Sequence, residues 1–132
     1  MQYKLINLIS HGDFRGNLIA FEKGVNCPFP IKRCFYIYDT KSNEVVRGAH
    51  ANKKSEFLLV VISGSCKVRV DTGSGKETFS LNSPMQALYL DKMVWKEMFD
   101  FSHNSILLVL SNELYDESEY IRNYDEFLRI AK

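Results

Sequence analysis

The sequence predicts an all-β fold, a sandwich or small barrel, finished by one C-terminal helix. Three observations carry this. Short runs of branched and aromatic residues recur at fairly even spacing, separated by turn residues. One run, Phe57-Leu58-Leu59-Val60-Val61-Ile62, lacks polar alternation and reads as a strand buried on both faces. Only the tail changes period: Tyr120, Ile121, Tyr124, Phe127, Leu128 and Ala131 recur at helical spacing. That spacing predicts an amphipathic helix over about 117–131, capped by Asp116 or Ser118.

Taken in order, Tyr3–Ile9 is a first strand and Leu18–Phe21 the second arm of a hairpin, with His11–Asn17 as the turn. Gly12 and Gly16 permit positive φ in that turn. Cys27-Pro28-Phe29-Pro30 is loop or edge, because proline cannot donate to a ladder. Arg33–Tyr38 is a strand ended by the turn Asp39–Asn43. After the central run, Ser63-Gly64-Ser65 turns the chain into Lys67–Val70, which alternates as a half-exposed strand does. Asp71–Lys76 is the strongest turn signal. Thr78–Leu81, Ala87–Leu90, Val94–Met98 and Ser105–Leu110 complete the strands.

Composition narrows the function. A chain of 132 residues is expected to form one domain over 1–132, with 45% apolar and 25% charged residues giving an ordinary globular balance. A net charge of +1, with basic residues scattered, argues against general nucleic-acid binding. No run approaches a membrane span, and Met1-Gln2-Tyr3-Lys4 lacks the apolar region of a signal peptide. Cys27, Cys34 and Cys66 show no metal or redox spacing, which predicts buried or half-buried thiols in a reducing cytoplasm.

The segment Val46-Arg47-Gly48-Ala49-His50-Ala51-Asn52-Lys53-Lys54-Ser55-Glu56 sets polar groups on a strand that leads into the most apolar run. A rigid strand of this kind is how a site keeps its geometry. His50 and Asn52, two apart, share a face; Arg47 falls on the opposite one unless Gly48 bends or bulges the strand. An inward-facing His50 fits either a catalytic group or a hydrogen-bonded core histidine. There is no GxGxxG, P-loop or Ser/His/Asp grouping.

Arg47–Lys54 resembles the RGxHAHKK segment of the dTDP-4-keto-6-deoxyglucose 3,4-ketoisomerases, the WxcM-like cupins. The resemblance runs through Arg15-Gly16 with Leu18, Pro28-Phe29 with Ile31-Lys32-Arg33, Tyr36-Ile37 and Asp39-Thr40. It continues through Ser63–Cys66, Val94–Met98, Asp100–Ser102, Tyr115–Glu117 and Tyr120-Ile121-Arg122. It implies an RmlC-like jelly-roll cupin barrel, a homodimer, no metal or other cofactor, and a dTDP-linked keto-sugar substrate. The implied activity is 3,4-ketoisomerisation toward 3-amino-3,6-dideoxy sugars of surface polysaccharide such as O-antigen. Two departures stand out: Asn52 occupies a position where many members carry a proton-transferring histidine, and Lys96 one where close relatives have histidine or arginine.

Ligand counting agrees on the metal. Metal-binding cupins use His-x-His, a Glu about four residues on, and a later histidine; here Asn52, Phe57 and Lys96 stand at those places. One histidine with no carboxylate is too few for zinc or iron. Moving a ketone from C4 to C3 needs a base at C3–H, and His50 is the candidate, alone or with Tyr36. Arg15, Asn52 and Lys96 are candidates to stabilise an enediolate. Tyr36 and Tyr38 share a strand face and are candidates for the sugar hydroxyls. Arg33 and Arg47, then Lys53 and Arg122, are candidates for the diphosphate. Trp95 reads as core or pocket wall, and His11 and His103 as exposed turn residues. Two readings stay open beside isomerisation: a non-catalytic sugar-nucleotide-binding cupin, and a related dTDP-sugar epimerase.

Overall fold

Twelve strands, a 3-10 turn and one helix form among the residues described, 2–41 and 44–131, in a computed structural model of the chain. They are β1 (Tyr3–Asn7), β2 (His11–Asp13), β3 (Gly16–Leu18), β4 (Arg33–Tyr38), β5 (Arg47–Asn52) and β6 (Phe57–Ser63). Then come β7 (Cys66–Asp71), β8 (Lys76–Leu81), β9 (Gln86–Leu90), β10 (Trp95–Phe99) and β11 (Ile106–Ser111). The 3-10 turn Glu117–Glu119, β12 (Tyr120–Ile121) and α1 (Tyr124–Ala131) end the chain.

All strands but β2 and β3 make two antiparallel five-stranded sheets, β1-β9-β6-β11-β4 and β12-β5-β10-β7-β8. The expected jelly roll is present, but its sheets stay open at their edges and do not close into a barrel. Their inner faces share one core: Phe57, Leu59 and Val61 of β6 cluster with Val68 and Val70 of β7, and with Leu88, Met98 and Leu107. The opposite face of β6, Leu58 and Val60, packs under Leu8, Cys27 and Phe29. Two covered faces explain why the run shows no alternation. Ile62 departs from it, at 47% exposed. β7 keeps its expected rhythm, with Val68 and Val70 buried and Lys67 and Arg69 exposed.

Several expectations need correction. The first hairpin is β2 against β3, with Asp13↔Gly16 closing it, so His11–Asp13 is strand and the tip is Phe14-Arg15. β1 pairs with β9 instead. The helix over 117–131 divides: Asp116 caps the 3-10 turn, Tyr120–Ile121 joins the second sheet, and helix proper starts at Tyr124. Asn123 accepts from the Glu126 backbone N–H at 2.9 Å and so supplies the cap. The helical spacing of the tail residues is real on the packing side, since Ile121 and Phe127 both cover Ala51 and Trp95. Cys27 and Cys66 are buried as expected, but Cys34 is exposed. Of the turn expected at Asp39–Asn43, Ser42 and Asn43 lie outside the described residues.

Candidate active site

A cavity of about 170 Å³ opens between the sheets, lined by Arg33, Phe35, Ile37, Arg47, Gly48, His50, Phe57, Leu59, Lys96, Met98, Val109 and Tyr120. Arg47 and His50 lie three apart, which in a regular strand would turn them to opposite faces. The β5–β10 register explains their meeting. His50 pairs with Lys96 and Gly48 with Glu97, so Ala49 is an extra residue opposite no partner. Gly48 and Ala49 have φ of 82° and 57°, the left-handed turn such a bulge requires. A Cβ at Gly48 would come within 2.9 Å of the Lys96 carbonyl oxygen. The bulge foreseen as one option at Gly48 thus aims Arg47 inward beside His50.

His50 is half-buried, close to the Gly48 carbonyl, and has the Tyr120 ring 4.7 Å from its own. Burial, reinforced by the Lys96 and Arg122 charges, pushes its pKa down to about 4. The Gly48 carbonyl and Glu119 oppose this without cancelling it. His50 is therefore neutral at pH 7 and free to accept a proton.

Lys96 is 3% exposed, an uncommon state for lysine. Its Nζ donates to Asn52 Oδ1 at 3.2 Å and stands 4.7 Å from the Phe57 ring centre. Burial pushes its pKa down to about 7, with Glu119 pulling the other way. Glu119 accepts from the backbone N–H groups of Lys54 and Ser55, at 3.0 and 2.9 Å, and from the Ser55 hydroxyl. It ties the C-terminal segment to the end of β5, where Tyr120 pairs with Asn52.

Arg33 reaches the rim, its Nη1 3.5 Å from the Tyr120 hydroxyl and its guanidinium over the Phe35 and Tyr115 rings. Arg122 lies over the other aromatic at the mouth, 4.7 Å from the Tyr120 ring centre. Of the residues singled out from sequence, the cavity gathers Arg33, Arg47, His50 and Lys96, with Asn52 behind Lys96 and Arg122 near the mouth. It does not gather the others. Lys53 is exposed. Tyr36 and Tyr38 share a face as expected, but it is the outer face, where their rings lie 5.6 Å apart; Phe35 and Ile37 point inward. Arg15 sits on the exposed β2–β3 hairpin, paired with Asp13 at 2.6 Å. Trp95 faces α1, against Tyr124 and Phe127. His11 and His103 are exposed. Sequence reasoning missed Glu119 and the site role of Tyr120, which had been read into a helix. Among the described residues no three His, Cys, Asp or Glu side chains converge as metal ligands.

Two open antiparallel sheets around a cavity with one charged wall define a jelly-roll cupin. The particular family follows from comparison: the one described as FdtA, WxcM-like, C-terminal, matches residues 1–132, and the chain belongs to it. A curated relative, TDP-4-oxo-6-deoxy-alpha-D-glucose-3,4-oxoisomerase of Aneurinibacillus thermoaerophilus, is 47% identical over 133 residues, covering 100% of this chain and 95% of its own. A TDP-fucose-3,4-ketoisomerase from Campylobacter jejuni superposes with a TM-score of 0.96 at 43% identity, covering 100% of this chain and 97% of that one. A variant of a 3,4-ketoisomerase from Thermoanaerobacterium thermosaccharolyticum, solved with TDP-4-keto-6-deoxyglucose, gives 0.94 at 38% identity over 98% and 94% of the two chains. The protein is an isomerase of this 3,4-ketoisomerase family.

Proposed function

We propose that the protein converts dTDP-4-keto-6-deoxy-D-glucose to a dTDP-3-keto-6-deoxyhexose by proton transfer through an enediol or enediolate. The observation that carries this is His50, neutral and half-buried in the cavity opposite Lys96. A neutral imidazole takes the C3 proton, and positioned proton transfer of this kind contributes on the order of 10²–10⁴-fold. At about 170 Å³ the cavity is smaller than the roughly 300–1,000 Å³ of pockets for drug-sized ligands. It takes the hexose and leaves the nucleotide toward the mouth. There Arg33, Arg47 and Arg122 serve the diphosphate, since guanidinium groups match phosphate oxygens in pairs.

In this reading the enzyme acts in the cytoplasm, and its product feeds 3-amino-3,6-dideoxy sugar synthesis. The test is NMR of purified protein with the substrate in D₂O. Deuterium entering the ring at C3 and C4 with a 3-keto product is expected. Binding without exchange would instead make this a non-catalytic sugar-nucleotide-binding cupin, and deuterium at C5 would make it an epimerase.

The working unit in this reading is a homodimer. Phe14 is 97% exposed at the hairpin tip, and Leu18, Tyr36 and Tyr38 are 60% or more exposed on neighbouring elements. Arg15 and the two tyrosines lie outside their own cavity, so they meet a sugar only in that of a second copy. Mixing Arg15→Ala with His50→Ala protein should restore activity that neither has alone. No restoration after subunit exchange would remove Arg15 from the site.

A further inference from the structure

Isomerisation between adjacent carbons moves two protons, one from carbon to carbon and one from oxygen to oxygen. Resting on the isomerase reading above, His50 accounts for the first. The titratable groups lining the cavity are Arg33, Arg47, His50, Lys96 and Tyr120. The two arginines do not give up a proton in a protein. Tyr120 stands at the rim with Arg33. Lys96 is the remaining group, directly across the β5–β10 ladder from His50.

The way Lys96 is held distinguishes it from a structural cation. A buried ammonium kept only for architecture is ordinarily matched by a carboxylate. Among the described residues Lys96 forms no ion pair, and its Nζ hydrogen bond goes to the neutral amide of Asn52. An amide oxygen fixes the position of Nζ without fixing its charge, because asparagine does not titrate. The ammonium donates only, so Asn52 turns its oxygen to Nζ. The Asn52 Nδ2 is then left buried with no hydrogen-bond partner among the described residues. One donor of the ammonium is used, and two remain for a ligand.

We propose that Lys96, positioned by Asn52, is the second acid–base group of the isomerisation, carrying the proton between the two sugar oxygens while His50 carries the proton between the two carbons. In the first half, neutral His50 takes the C3 proton. The C3–H electron pair becomes the C3=C4 bond, the C4=O π pair moves to O4, and the Lys96 ammonium protonates O4. A neutral enediol results. In the second half, neutral Lys96 takes the proton from O3, whose O–H pair forms the C3=O bond. The C3=C4 pair then takes the proton from His50 at C4. Both side chains finish as they began, and no co-reactant is consumed. The starting states coexist near neutrality, with His50 down to about 4 and Lys96 to about 7.

The charged and titratable groups around Lys96 are His50 and Arg47 on β5, Arg33 on β4, and Glu119, Tyr120 and Arg122 from the C-terminal segment. Two experiments on the full chain test the assignment, and each decides alone if the other's variant fails to fold. The first measures kcat/KM against pH. Wild type should lose activity above about pH 7 as Lys96 loses its proton. Asn52→Asp puts a carboxylate at Nζ, favours the ammonium, and should move that alkaline limb up by about 1–3 pH units. An unmoved limb overturns the proposal, because a structural role for Asn52 would not tie it to the limb. The second uses Lys96→Ala, expected to lose on the order of 10²–10⁴-fold. Ethylamine should restore part of the loss and guanidinium chloride should not. Equal rescue by guanidinium, which brings charge without a transferable proton, overturns it, as does full activity of the variant or no rescue by ethylamine. Wild type that exchanges no deuterium sinks the isomerase reading as well, whereas active wild type with an unmoved limb sinks this assignment only.

Discussion

The first sheet gives the cavity Phe35, Ile37, Phe57, Leu59 and Val109, with Arg33 at its rim; the second gives it Arg47, His50 and Lys96, with Met98 and Tyr120. Both walls are antiparallel strands of similar length, and both alternate. They differ in what alternation turns inward. The apolar wall follows the ordinary rule and strips water from the cavity. The polar wall breaks that rule at one bulge, and Lys96 sits where the apolar wall has removed its solvent, while Arg47 stays exposed. The shifts of His50 and Lys96 therefore belong to both walls together: burial is the first cause of each. Charged residues alone would not have produced them.

Three substitutions sharpen or break this contrast. The largest effect is expected from the polar wall. His50→Ala should lower kcat on the order of 10²–10⁴-fold while leaving TDP affinity within a few-fold, read by turnover and calorimetry. Near-normal kcat would place the base elsewhere. The next comes from the apolar wall, where Leu59 is 1% exposed in the shared core. Leu59→Ala should destabilise by about 2–5 kcal/mol in denaturant titration, with the lysine limb of the pH profile displaced upward as water enters. Unchanged stability would mean that this wall is not the packed element described.

The smallest effect is on the pH slope of stability. Folded Lys96 titrates at about 7 against an ordinary 10.5, so between those values the unfolded chain binds more protons than the folded one. Stability then rises with pH across that window. His50, at about 4 against 6.5, gives a second rise at lower pH. Lys96→Met should flatten the upper rise in Tm by a few degrees and leave the lower one. An unchanged upper slope would mean that the lysine is solvated.

Much of the architecture was legible because burial leaves a mark in local sequence. β4 falls on Arg33–Tyr38 as read, and the Asp71–Lys76 turn joins β7 to β8. The first hairpin was misplaced because His11-Gly12-Asp13 carries turn residues in a strand too short to show alternation. The tail misled for a different reason: β12 and α1 press on the same Trp95 and Ala51, so their apolar residues keep one spacing across two elements. Which face of β4 looks inward was not readable either, since aromatic residues occupy both. In the site, His50 announced itself through its neighbours in sequence. Glu119 did not, because its hydrogen bonds reach Ser55, 64 positions away. The burial of Lys96 and its hold on Asn52 likewise exist only once β10 lies beside β5.

The buried lysine also bears on how such a protein would respond to selection. An ammonium buried beside a neutral amide works against folding at neutral pH, so a search for heat-resistant variants that ignored turnover should discard Lys96 early. A library selected for turnover should keep it. The position where those two searches disagree most marks where the chain gives up stability for chemistry.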